Sequence, residues 1–227
     1  SVMCDISEQN LADTLSVMKP VIEKMRIERN DLGRLSFFEV FTALAFIYFK
    51  KQRVDVTVLE MGDGIYEVQS TEGDNDLGGD DFDQEIVDWV LEKFEDENGI
   101  DLSENDEALQ RIQENAEEAK KELSSRKSTN INIPFIHQED GETYNIDYEL
   151  TRSKFEDLID ELVQRTTQPT ETAIEDAGIS KGDIDDVILV GGTTRVPAVR
   201  EHVQAITGMK PNQEVNPAEA VADGAAI

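Results

Sequence analysis

The chain has 227 residues, of which 38% are hydrophobic, which is enough for one large domain or two small domains with a buried core. Its 50 Asp and Glu residues outnumber its 21 Lys and Arg residues, so the formal net charge is −29. This charge repels nucleic-acid phosphates and anionic membrane surfaces, and neither is expected as a partner. Because the acidic residues are spread along the chain, both an ordinary solvated surface and adaptation to a high-salt cytoplasm remain open.

Cysteine content and hydropathy indicate the compartment. Cys4 is the only cysteine, so an internal disulfide is excluded and a reducing cytoplasm is expected. The longest apolar run, residues 43–49, is far shorter than the roughly 20 residues that cross a bilayer. The sequence contains no signal-peptide pattern and no Cys/His spacing typical of a metal site. It therefore predicts a cytoplasmic protein without a membrane span.

Residues 1–53 predict a pair of helices. The first begins near Ser7, a candidate N-cap, and ends near Arg29. Ser36 and Glu39 form a capping box for the second helix, which runs to about Lys51 and is apolar nearly all round. The apolar stripe of the first helix consists of Leu11, Leu15, Met18, Ile22 and Met25.

The hydrophobic pattern changes at Val54, and from there to Val58 apolar and polar residues alternate. A turn at residues 61–64 and a second strand at Ile65–Ser70 complete a predicted hairpin. The stretch DNDLGGDDFD, residues 74–83, then leads into a helix that Gly99 ends. The apolar residues of that helix recur at intervals of four: Phe82, Ile86, Val90 and Phe94.

The middle of the chain predicts a helix, a hairpin and two further helices. Ser103 opens the first helix, and its apolar stripe is Leu109, Ile112, Ala116, Ala119 and Leu123. Strands at Asn130–Ile136 and Tyr144–Leu150 enclose a turn at residues 139–141. Thr151 caps one helix, which carries Phe155, Leu158, Ile159, Leu162 and Val163. Pro169 begins a shorter helix that ends at Gly178.

Val187–Val190 form a continuous apolar run of strand length, which predicts a strand covered on both faces. Two glycines follow, and Pro197 begins a helix that reaches Thr207 and is closed by Gly208. The last segment, NPAEAVADGAAI, predicts a capped helix start. Helices, hairpins and a buried strand together indicate an α/β fold without internal repeats.

Three short segments carry the polar chemistry. In VGGTTRVP the glycines allow a tight turn and the next helix offers free N–H groups. This pattern suits a phosphate or a nucleoside, and a plain strand-to-helix turn remains the alternative. DNDLGGDDFD allows the same two interpretations. In EEAKKELS, residues Lys120, Lys121 and Ser124 predict a basic, hydroxyl-bearing helix face that could bind a sugar or a base. The alternative interpretation is an ordinary solvated helix face. His137 and His202 lack the partners of a catalytic triad.

These segments occur in the order found in a known family. From about Val54 to Ile227 the sequence closely resembles the nucleotide-binding domain of the seventy-kilodalton heat-shock chaperones, the DnaK type. The resemblance implies the second lobe of an actin-like ATPase, a ribonuclease H-like α/β fold, with an inserted α+β subdomain at about residues 78–160. It rests on VDVTVLEMGDGIYEVQSTEGDNDLGGDDFD, ALQRIQENAEEAKKELSS, INIPFI, LTRSKFEDL, DIDDVILVGGTTRVPAV and NPAEAVADGAAI.

The resemblance also implies a site for ATP or ADP. The helix residues that would clasp adenine and ribose are Glu117, Lys120, Lys121 and Ser124. The opposite adenosine loop would comprise Gly191, Gly192, Thr193 and Arg195. Gly78 and Gly79 match a turn near the ribose and phosphates. Asp55 matches an aspartate at the metal-bound phosphates, which implies Mg²⁺ held through water and a catalytic role for Asp55.

The sequence departs from the family at the phosphates. Residues 50–55 read KKQRVD where the family has a glycine-rich phosphate loop, so only Asp55 matches, and Ala218 replaces a usual aspartate. No counterpart of the first lobe or of the peptide-binding domain occurs. Residues 1–60 are instead similar to folylpolyglutamate synthases, which are ligases of the Mur type. The chain therefore resembles a chimera of two families, with the junction, or seam, at Val54–Gly62.

These features predict an ATP- or ADP-binding half of a chaperone ATPase that is weakly active or inactive alone, with a nucleotide-exchange factor or co-chaperone as implied partner. An acidic scaffold without nucleotide binding remains open. A ligase fragment is the third alternative, although no G-x-x-x-x-G-K-[ST] phosphate loop occurs.

Overall fold

A computed structural model of the chain describes residues 56–62, 65–74, 76–139 and 141–212. These segments form two antiparallel hairpins and six α-helices, an α/β combination as the sequence predicts. The elements are β1 (Val56–Gly62), β2 (Ile65–Glu72), α1 (Gly79–Asn98), α2 (Asp106–Leu123), β3 (Ser128–Glu139), β4 (Glu142–Thr151), α3 (Arg152–Leu158), α4 (Asp160–Arg165), α5 (Thr167–Asp176) and α6 (Pro197–Thr207). The predicted helix pair of residues 1–53 and the predicted helix start near the C-terminus lie outside the described residues.

The first hairpin pairs Val56 with Glu72 at one end and Gly62 with Ile65 at the other, with a bulge between Val58 and Leu59. Helix α5 packs against it, and the hydroxyl of Ser70 donates to the carbonyl of Ala173 at 2.5 Å. The predicted hairpin is therefore confirmed, and its second strand extends two residues further than the sequence suggests.

The second hairpin, β3 and β4, alternates buried and exposed side chains, as expected of a sheet with one solvated face. Its buried face joins the apolar stripes of α1 and α2 in one core, which removes a large apolar area from water. The residues of this core include Phe82, Ile86, Val90, Phe94, Ile112, Ala116, Ala119, Leu123, Ile131, Ile133, Ile146 and Leu150.

Local signals set the helix ends. The Asp81 carboxylate accepts from the Gly78 amide at 2.6 Å at the start of α1, and Gly99 ends this helix in the left-handed conformation, φ 69°. Helix α2 begins after Asn105, whose side chain accepts from the Ala108 amide at 3.1 Å. The predicted start at Ser103 is therefore wrong by a few residues, because Asn105 satisfies the free amides of the first turn.

Thr151 caps α3 as predicted, since its hydroxyl accepts from the Lys154 amide at 3.2 Å. The single helix predicted beyond this cap is instead two helices, because the backbone at Ile159 departs from helical geometry with φ −91° and ψ 1°. Pro169 lies within the first turn of α5, where its missing N–H costs no hydrogen bond. Helix α6 runs from Pro197 to Thr207 as the sequence predicts.

The predicted strand at Val187–Val190 is wrong. These residues are not paired in a ladder with either described hairpin, and Ile188 and Val190 are 50% and 44% exposed. The carbonyl of Val187 accepts from the Asn212 amide at 2.8 Å. An apolar run of this length becomes a strand only where a neighbouring strand satisfies its amides and carbonyls, and that pairing is a tertiary event that the run itself does not encode.

No helix in the part of the chain that the structure describes is long and apolar enough to cross a membrane.

Candidate functional site

Two of the three polar segments meet where α1 begins. The ammonium of Lys120, on α2, donates to the carbonyl of Gly79 at 2.8 Å and to the carboxylate of Asp83 at 2.6 Å. The side chains of Lys120 and Asp83 are only 13% and 14% exposed. This half-buried ion pair joins α1 to α2 directly below the glycine turn.

The third segment contacts the same point. A β-carbon built on Gly79 would lie 2.8 Å from the Thr193 hydroxyl and 3.3 Å from the Lys120 ammonium. A side chain at position 79 would therefore require the Thr193 hydroxyl, and to a lesser extent the Lys120 ammonium, to shift. The structure thus brings together Gly79, Lys120 and Thr193, one residue from each sequence-predicted segment.

The loop that carries Thr193 is a short 3-10 turn, Gly192–Arg195. It follows Gly191, whose φ of 97° favours glycine, and the hydroxyl of Thr194 donates to the Gly191 carbonyl at 2.7 Å. Gly191, Gly192 and Arg195 are exposed, whereas the next residue, Val196, is 1% exposed and belongs to the core. The turn therefore exposes its backbone and the Arg195 side chain, while Val196 packs in the core beneath it.

The face of α2 does not have the arrangement that the sequence predicts. Lys121 and Glu117 are each more than half exposed and pair with each other at 2.8 Å, whereas Lys120 turns toward α1. The Ser124 hydroxyl donates to the Lys120 carbonyl at 3.1 Å, one turn back on the helix. Lys120 and Lys121 therefore do not form one basic face, because their side chains leave the helix about 100° apart.

Charge and burial act on these groups in opposite directions. Burial raises the pKa of the Asp83 carboxyl, although its hydrogen bond to Lys120 lowers that pKa in part. At the exposed pair, the hydrogen bond from Lys121 lowers the pKa of Glu117, and the same bond raises the pKa of Lys121. Burial therefore has the larger effect on the pKa of Asp83, whereas the hydrogen bond between Lys121 and Glu117 has the larger effect at the exposed pair.

Two further sequence-predicted positions are Gly78 and Asp55. Gly78 is exposed and caps α1 through its amide. Asp55, the predicted ligand of a hydrated magnesium ion, lies outside the described residues. Among the residues that the structure does describe, no group of three or more His, Cys, Asp or Glu side chains is arranged to hold a metal ion.

Sequence reasoning missed Asp83, the partner of Lys120. A signal was present, because Asp83 lies four residues after Gly79 and therefore on the same side of the first turns of α1. Elsewhere, a cavity of about 370 Å³ is lined by Asn105, Glu107, residues 135–138 and Thr143. That cavity shares no residue with the three polar segments.

Comparison with known protein families identifies the family of this chain. A family model described as Hsp70 protein matches residues 45–227, which is most of the chain and includes all three polar segments. Members of this family have the actin-like ATPase fold, bind ATP or ADP with Mg²⁺, and act as chaperones. The chain therefore belongs to the Hsp70 family.

Proposed function

We propose that this chain provides one wall of a chaperone ATPase cleft and binds the adenosine end of ATP or ADP. The observation that carries the proposal is the convergence of Gly79, Lys120 and Thr193 at one point. These residues lie at three distant positions of the sequence, and the packing of α1, α2 and the Gly192–Arg195 turn brings them together. In this proposal the chain is the second lobe of a DnaK-type domain, with residues 78–160 as an inserted subdomain.

The polar groups around this point fit a nucleoside. The Ser124 hydroxyl and the Glu117 carboxylate can bond ribose hydroxyls, and the exposed backbone of Gly191 and Gly192 lets a flat base approach closely. The Arg195 guanidinium suits stacking on a base. A bound nucleotide would place its phosphates near the start of α1, where the Asp80 and Asp81 carboxylates offset the attraction of the helix N-terminus for an anion.

The chain has fewer groups that could bind the phosphates of the nucleotide. Residues 50–55 lack the glycines of the family's phosphate loop, and phosphoryl transfer depends on groups that hold the phosphates and the metal ion in place. We therefore propose that the chain alone hydrolyses ATP weakly or not at all. Family membership also makes a nucleotide-exchange factor or another co-chaperone a proposed partner.

The similarity of residues 1–60 to a Mur-type ligase is a separate proposal. We propose a chimeric origin with its seam near Val54, and the genomic sequence upstream of Val54 is the observation that tests it. An uninterrupted Hsp70 reading frame upstream would contradict a chimeric gene.

Isothermal titration with ADP and, separately, with adenosine tests the proposed function. We expect saturable binding of both, with affinities within a few-fold of each other, because the bound portion is the adenosine. Lys120→Ala should weaken ADP binding about tenfold or more, the effect of losing one charge-assisted hydrogen bond. Lys154→Ala is a matched control, because Lys154 is an exposed lysine at the start of α3.

Two results would contradict the proposal. Absence of saturable binding by the unmodified chain would favour an acidic scaffold that uses the lobe without a nucleotide. Equal losses in Lys120→Ala and Lys154→Ala would show that ADP is attracted by lysine charge in general and not bound at this point.

A further inference from the structure

The ion pair between Asp83 and Lys120 is more enclosed than the other ion pairs around the site. Both side chains are less than 15% exposed and their charged atoms are 2.6 Å apart, whereas Lys121 and Glu117 form a pair that is more than half exposed. The Lys120 ammonium also donates to the Gly79 carbonyl at 2.8 Å. One ammonium is thus held by two groups of α1 at the edge of the proposed cleft.

Stability alone does not account for this arrangement. Burying two charges costs several kcal/mol of hydration, and a buried ion pair often stabilises a fold no more than apolar residues of similar size. Here the cost is increased, because the second carboxylate oxygen of Asp83, Oδ1, is buried without a hydrogen-bond partner in the described part of the chain. Apolar residues at both positions would extend the adjacent core, which already contains Phe82 and Ala119.

We propose that Asp83 is a positioning residue for Lys120: it holds the ammonium against the start of α1, so that α2 presents a fixed cation beside Thr193. Without Asp83, the four-carbon side chain of Lys120 would extend into solvent, as that of Lys121 does. The effect on the nucleotide rests on the proposed function. The effect on Lys120 itself does not, and it can be measured without a ligand.

The first test is competitive labelling of lysines with an amine-reactive ester, read for each residue by mass spectrometry. In the unmodified chain Lys120 should react much more slowly than Lys154, which is exposed. In Asp83→Ala the rate at Lys120 should rise about tenfold or more relative to Lys154. Asp83→Asn, which retains the shape and an acceptor oxygen, should give a smaller rise.

The control substitution for labelling is Asp96→Ala, which removes an exposed carboxylate from the same helix. Labelling of Lys120 that is as slow in Asp83→Ala as in the unmodified chain would overturn the proposal, whatever the chain binds. If Asp83→Ala does not fold, as judged by circular dichroism, the isosteric Asp83→Asn carries the same comparison. Equal labelling of Lys120 in Asp83→Asn, Asp96→Ala and the unmodified chain would then overturn it.

The second test is a double-mutant cycle for ADP affinity with Asp83→Asn, Lys120→Ala and the double variant. A positioning residue acts through Lys120, so Asp83→Asn should weaken ADP binding several-fold in the unmodified background and have little effect once Lys120 is absent. Equal losses in both backgrounds would mean that Asp83 acts independently of Lys120, which contradicts the proposal. If neither the unmodified chain nor any variant binds ADP, the proposed function fails. The labelling experiment still decides the role of Asp83 in that case.

Discussion

Gly79→Ala perturbs the point where the three polar segments meet. Gly79 is the first residue of α1, and alanine favours a helix over glycine by up to about 1 kcal/mol. Against this, the new β-carbon would lie 2.8 Å from the Thr193 hydroxyl and 3.3 Å from the Lys120 ammonium. Overpacking of this kind costs about 1–3 kcal/mol, so we expect a net loss of about 1 kcal/mol in the free energy of unfolding.

Urea denaturation followed by circular dichroism measures this loss. Gly182→Ala is the matched control, because a β-carbon there would meet only the Ser180 hydroxyl at an ordinary 3.7 Å, in an exposed 3-10 turn. Its effect should stay within about 0.5 kcal/mol. The same comparison in the presence of ADP should show weaker ligand stabilisation for Gly79→Ala than for Gly182→Ala.

The double variant Gly79→Ala/Thr193→Ala decides whether the contact itself causes the loss. Removing the Thr193 hydroxyl gives the new methyl group room, so the double variant should recover much of the lost stability. If Gly79→Ala is as stable as the unmodified chain, or if Thr193→Ala does not relieve it, the close approach of α1 to the 191–195 turn is refuted.

The remaining predictions concern the second hairpin. Phe135 has a left-handed φ of 55° yet is 75% exposed, so Phe135→Gly should raise the free energy of unfolding by about 0.5–1 kcal/mol; a loss in urea denaturation would contradict this. Arg111 donates to the carbonyls of Pro134 and Phe135, where the pairing of β3 with β4 is irregular between Ile133 and His137. Arg111→Ala should therefore lower the free energy of unfolding by about 1 kcal/mol, and an unchanged value would contradict a stabilising role of Arg111. Burial, and then the Glu97 carboxylate, raise the pKa of Tyr148, so the unfolded chain ionises at about pH 10 while the folded chain does not. Stability should therefore fall as pH rises above about 10, and Tyr148→Phe should make that fall less steep; an unchanged slope would contradict the raised pKa.

The elements that the sequence predicts well are those set by local signals. The stripe of Phe82, Ile86, Val90 and Phe94 repeats at helical spacing, and Gly99 takes the left-handed conformation that ends a helix. Thr151 caps α3 through its own hydroxyl. Each of these signals is contained within a few residues, so no tertiary information is needed to read it.

The features that the sequence does not predict depend on distant residues. The run Val187–Val190 is apolar enough for a strand, but strand formation requires a partner that the run does not specify. The pair between Asp83 and Lys120 spans 37 positions, and their contact follows only from the packing of α1 on α2. At Phe135 the left-handed φ is imposed by hydrogen bonds from Arg111 and to Asn145, with no glycine to mark it.

The three polar segments are held in place by one core. Each carries a buried residue close to its polar groups: Phe82 in the first segment, Ala119 in the second and Val196 in the third, exposed by 3%, 4% and 1%. Ala119 directly precedes Lys120, and Val196 directly follows the turn that carries Thr193, so a shift of either apolar residue moves the adjacent polar group by a similar distance. Because a packed core resists such shifts, apolar packing fixes the backbone around Gly79, while the ion pair with Asp83 holds the Lys120 ammonium beside it. A nucleotide that binds here would therefore meet groups that are already oriented, and little of its binding energy would be spent on ordering them.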